Sequence, residues 1–135
     1  MNKKTAVVAG LTVAGTLAGA APASAAWSEA VPDVSWGAKS CKNNSVQVRR
    51  DKGAVDVVWG EFIVNCTGRA NLRLEFYGPG GLKKIVDGYA TAGRTTTQGA
   101  FGFYKAGYWS ACGSFRNDNT WSLVPGTRVC ATDYK

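Results

Sequence analysis

The sequence predicts an all-β domain, a small antiparallel β-sandwich or small barrel stapled by two disulfides and preceded by a cleaved signal peptide. Three observations carry that expectation. Beyond residue 40, apolar residues recur at every second position in short runs, the period of a half-buried strand, and no run of helical period is present. The chain holds 17 glycines, and turn signals separate the runs about every ten residues, as in sandwiches and barrels. Four cysteines follow an export signal, so they are expected to oxidise.

The export signal comes first. Lys3 and Lys4 supply a positive start, Thr5 to Ala20 an apolar run of Ala, Val, Gly and Leu, and "APASA" small residues for cleavage after Ala25. Of the 135 residues, 110 then remain, enough for one domain. A chain of that size buries roughly two-thirds of its unfolded surface. The leader is too short and too rich in Gly and Ala for a stable membrane span, and no later stretch is long or apolar enough to cross a bilayer. No cysteine follows the cleavage site to take a lipid, so a secreted, extracellular, monomeric product is expected. The leader has a bacterial cast, which makes the "NCT" sequon at Asn65 incidental.

Residues 26–40 read as an irregular N-terminal segment, with Pro32 and Gly37, ahead of a single β domain over 41–135. "SVQVRR" (45–50) alternates Val46 and Val48 with polar neighbours, and a turn at Asp51 to Gly53 leads into "AVDVVWGEFIVNC" (54–66). In that run Val55, Val57 and Trp59 share one parity, and Phe62, Val64 and Cys66 the other. A bulge at Gly60 would reconcile them. "NLRLEFY" (71–77) points Leu72, Leu74 and Phe76 inward; "GPGG" turns the chain into a short strand beginning at Leu82. Residues 91–100, rich in Thr and Gly, read as a loop or a poor edge strand. "AFGFYKAGYWSACGSF" and "GTRVCATDY" supply the last strand sequence.

This layout constrains the cysteines. The gaps between Cys41, Cys66, Cys112 and Cys130 contain no C-x-x-C pair, which argues against zinc and against a redox motif. Folding 45–50 back on 54–66 brings position 41 opposite roughly residue 63, and the bulge near Gly60 would let Cys41 reach Cys66. Cys112 and Cys130 lie within disulfide reach only if their strands are direct neighbours, because two strands apart means about 9–10 Å against a limit of about 7 Å. The expected pairs are therefore Cys41–Cys66 and Cys112–Cys130, with 116–126 projecting as a long loop. Cys66–Cys112, or another pairing across the sandwich, is the alternative.

Composition also excludes chemistry. The chain has no histidine, which removes Ser–His–Asp hydrolases, Cys–His proteases, His-ligated metal enzymes and His-dependent ribonucleases. Oxidised cysteines leave no thiol nucleophile. No metal site or cofactor is expected. A carboxylate pair remains as a glycosidase device, and Glu61 with Glu75 is the one pair worth weighing. The formal charge is +7, or +5 once Lys3 and Lys4 are removed, with the cations scattered along the chain. That argues for a solvated surface compatible with anionic polymers rather than a specific nucleic-acid site.

The candidate contact surface is the loop "RNDNTWSLVPG" (116–126), with Arg116, Asn117, Asn119 and Trp121, joined by the aromatic residues Tyr108 and Trp109. Trp121 folding back onto the core, and Trp109 packing within it, are the structural alternatives. The expected function is that of a secreted, non-enzymatic binding domain for an extracellular protein, most concretely a hydrolase inhibitor. The other readings are a basic antimicrobial or cell-surface and glycan-binding protein, and a His-independent carbohydrate-active enzyme. Small exported β domains with two disulfides include inhibitors, antifungal proteins and chromophore carriers, a likeness of size and cysteine count only.

Overall fold

The structure, a computed structural model, describes residues 27–135. The expected signal peptide and its cleavage site lie outside the described residues. Nine strands are present among them: β1 (Ser28–Val31), β2 (Val34–Trp36), β3 (Lys39–Lys52), β4 (Asp56–Cys66), β5 (Ala70–Gly78), β6 (Leu82–Ala90), β7 (Gly93–Phe101), β8 (Tyr108–Arg116) and β9 (Val129–Tyr134). They form two antiparallel sheets. One has the order β9–β8–β5–β6; the other has the order β1–β3–β4–β7, with β2 also paired to β3. The fold is the all-β, disulfide-stapled architecture that the alternating pattern predicts.

The core lies between the sheets. Val46, Val48, Val58, Phe62 and Val64 from the five-stranded sheet meet Leu72, Leu74, Phe76, Trp109, Ala111 and Phe115 from the four-stranded one, all fully buried. Phe62 meets Phe115 edge-on at 5.4 Å, and Phe76 lies 5.5 Å from Trp109. Trp109, expected as a contact aromatic, is therefore core. Its alternation with outward Tyr108 and Ser110 turns it inward, and its Nε1 donates to the Lys105 carbonyl at 3.0 Å.

The expected bulge at Gly60 is not there. Pairing runs unbroken through Val48↔Gly60, and Val58, Gly60, Phe62, Val64 and Cys66 all face inward on one parity. Gly60 serves packing instead: a Cβ there would stand 2.7 Å from Phe76 Cδ1, so the missing side chain makes room for the ring. Gly113 does the same for Phe62, with a Cβ 2.6 Å from its Cγ.

The bulge occurs on β3, between Lys42 and Ser45, where Asn43 adopts a left-handed φ of 54°. Two residues there oppose one on β4, and this single-residue offset seats Cys41 against Cys66 rather than Thr67. The hairpin itself turns at 53–55, beyond the expected Asp51 to Gly53, with Lys52 paired to Asp56. Residues 26–40 are not irregular throughout. β1 and β2 form a broken edge strand along β3, interrupted at Pro32, whose missing N–H is tolerated at an edge. Asn44 Nδ2 donates to the Pro32 carbonyl at 3.1 Å and so ties the break to the bulge. Residues 93–101 are an edge strand, the second of the two readings offered for that stretch.

Both disulfides pair as expected. Cys41–Cys66 bridges β3 and β4 on the core side, and Cys112–Cys130 bridges β8 and β9, whose registers place the two cysteines directly opposite. Gly113 and Ala111 face the core, so the second bridge lies on the outer face of its sheet. No helix among the described residues is long and apolar enough to cross a membrane.

Candidate functional site: the loop between β8 and β9

Because Cys112 and Cys130 sit on adjacent strands, the chain between Arg116 and Val129 must leave the sheet and return to it. Residues 117–128 do this as one projecting loop. Its base is fixed by Thr127, 2% exposed, whose Oγ1 donates to the Val124 carbonyl at 2.7 Å and accepts from the Phe115 N–H at 3.1 Å. Val124 N–H in turn donates to the Phe115 carbonyl at 3.0 Å.

The tip is organised by Asn117. Its Oδ1 accepts from the N–H groups of Asn119 and Thr120 at 2.9 and 3.2 Å, an Asx turn. Its own N–H donates to the Ser122 carbonyl, and its carbonyl accepts from Trp121 N–H at 3.1 Å. Lys39, at the start of β3, reaches across to Asp118 at 2.8 Å and also donates to the Arg69 carbonyl at 2.7 Å. Between the two limbs, Arg116 to Asn119 and Ser122 to Pro125 line an open cleft of about 510 Å³.

Trp121 holds a left-handed φ of 58° at this tip. For a bulky residue that conformation costs about 1–2 kcal/mol, and it persists only where the surroundings impose it. Here the hydrogen bonds of Asn117 impose it. The side chain is half-buried and is not among the residues of the hydrophobic core cluster.

The six expected contact residues separate into three groups. Asn119 and Trp121 are presented by the loop. Arg116 and Asn117 brace it: the Arg116 guanidinium donates to Ser114 Oγ and the Trp121 carbonyl and lies 3.5 Å from Glu75. Tyr108 and Trp109 belong elsewhere. Trp109 is buried, and Tyr108, exposed beside Tyr134, sits at the other end of β8, roughly 27 Å away at about 3.4 Å per residue. Sequence reading missed the cleft's Leu123 and Pro125 as a potential contact wall, and missed Lys39 as a brace. Only the latter lies outside any local signal, since 79 residues separate Lys39 from Asp118.

The carboxylate pair is not a pair. Glu61 faces outward from the five-stranded sheet and Glu75 outward from the four-stranded one, so the whole core lies between them. Burial pushes the Glu61 carboxyl up, but hydrogen bonds from Arg49, Gln47 and Gln98 outweigh it and hold it below its ordinary range. Glu75 is held down to about 2, chiefly by the Arg128 hydrogen bond, with Tyr77 donating as well and Arg116 adding charge. Both are ion-paired anions, unsuited to donate a proton, so these two residues do not form a glycosidase centre. Among the described residues no group of carboxylates or cysteines is placed to hold a metal ion.

No protein-family model, curated protein or solved structure matches the chain.

Proposed function

We propose that this protein is a secreted binding domain that inhibits an extracellular hydrolase through the loop 117–128. The observation that carries the reading is that the loop is ordered before any partner arrives. It is stapled at its base by Cys112–Cys130, tied by Thr127, Asn117 and the Lys39–Asp118 ion pair, and it strains one tryptophan at its tip. A loop already fixed loses little further entropy on docking, which is the property a tight inhibitor needs. Trp121 and Asn119 make the contact, an aromatic anchor with an adaptable hydrogen-bonding neighbour. The cleft between the limbs takes a partner side chain against Leu123 and Pro125. Two disulfides are consistent with an extracellular life, as is the leader read from the sequence.

The test is inhibition of a panel of secreted proteases and glycosidases by the oxidised protein. Trp121→Ala should weaken inhibition of the susceptible enzyme by tenfold or more, about 1.4 kcal/mol, without lowering the melting temperature. Inhibition of none of the panel, or a Trp121→Ala variant as potent as the parent, overturns the reading.

A further inference from the structure

The end of the sandwich opposite the loop gathers the β3–β4 hairpin at 53–55, the β5–β6 turn at 79–81 and the β7–β8 connection at 102–107. The turns and the strand ends that carry them touch. The Arg50 guanidinium lies 3.4 Å over the Tyr104 ring, Lys84 Nζ donates to the Ala100 carbonyl at 2.5 Å, and Pro79 packs against Gly107. Two apolar side chains stand out at the tips: Val55 is 58% exposed and Phe103 48%. Neither packs into the core; Phe103 meets only the edge of the core at Phe101, with ring centres 5.9 Å apart.

Around them stand Lys52, Lys83, Lys84 and Lys105, all exposed; among the described residues none of the four is in a close ion pair, Lys52 acting on Asp56 only through longer-range charge. The acids at this end are already occupied, Asp51 by Arg49, Asp56 by Arg50 and Asp133 by Lys135. Four lysines outside any close ion pair thus stand beside exposed apolar tips.

The geometry points to this end as a docking surface for an anionic lipid bilayer. Phe103 and Val55 enter the headgroup boundary, and the four lysines meet acidic headgroups while their methylene stems lie along the interface. A soluble polyanion would satisfy the lysines but offer nothing to Phe103 and Val55, whose exposure the fold itself does not require.

The experiment is co-sedimentation of the full oxidised protein with vesicles of phosphatidylglycerol and phosphatidylcholine, against vesicles of phosphatidylcholine alone and against heparin as a soluble competitor. Sedimentation is expected with the anionic vesicles only and should fall as salt is raised. Lys52→Gln, Lys84→Gln and Lys105→Gln should each weaken binding about fivefold. Phe103→Ser should weaken it about tenfold, and Val55→Ser provides the same apolar test should Phe103→Ser fail to fold. Equal binding to neutral vesicles, or no sedimentation with any, overturns the proposal. So does binding that the lysine substitutions weaken, the apolar ones leave unchanged and heparin abolishes, which marks a polyanion site instead.

Discussion

At the level of single residues, the molecule turns on atoms that are missing and on charges that are fully engaged. Gly60 and Gly113 are notches for Phe76 and Phe62. Gly60→Ala should cost about 1–3 kcal/mol through overpacking, read as a lower denaturant midpoint, whereas Gly53→Ala at the open hairpin should cost far less. Glu75 provides the complementary case. Its folded carboxyl sits at about 2, below the ordinary 4.5, so its contribution is fully present above pH 4.5 and is lost as the pH falls toward 2. Denaturation midpoints at neutral pH and near pH 2 should show Glu75→Gln less stable than the parent at neutral pH, by about 2 kcal/mol after screening, and nearly equal to it in acid. The alternation that turns Trp109 inward was visible in the sequence. Which of Tyr108 and Trp109 took the inward side was not, because period two fixes a shared parity but not its direction.

At the level of elements, strand existence was legible almost throughout, and the errors cluster where pairing overrides local pattern. Residues 28–36 contain a proline and read as irregular, yet the open edge of β3 recruits them as two short strands. The apparent change of parity along 54–66 points to a bulge at Gly60, but β4 keeps one parity and the bulge lies on β3, where Asn43 takes the left-handed backbone and the Asn44 amide ties down the Pro32 carbonyl. Disulfide pairing was legible because strand spacing allows only neighbours to bridge. Removing Cys112 and Cys130 by paired Ala substitution should cost about 3 kcal/mol for the loop of 18 residues they close. Hydrogen exchange should then accelerate at the amides of Asn117 and Trp121. Removing Cys41 and Cys66 should cost a similar amount while leaving those amides protected up to global unfolding.

At the level of the whole molecule, the two sheets hold the two proposed contact surfaces at opposite ends. The β8–β9 loop stands at one, and the exposed Val55 and Phe103 with their lysines stand at the other, separated by the length of the strands. Sites so far apart with no shared partners should behave additively. Trp121→Ala is expected to leave vesicle binding unchanged, and Phe103→Ser to leave hydrolase inhibition unchanged; coupling between them in a double variant would show that the ends communicate. The sequence by itself determined the all-β class and most of the strands, because these follow from local period and turn chemistry; it restricted the cysteines to pairs on neighbouring strands without deciding which strands are neighbours. Only the tertiary structure decided which side of each strand meets the other sheet, that Glu61 and Glu75 lie on opposite outer faces, and that Lys39 braces a loop far along the chain. The reason is that sheet order joins β4 to β7 and β5 to β8, pairings between distant segments whose neighbours no local pattern specifies.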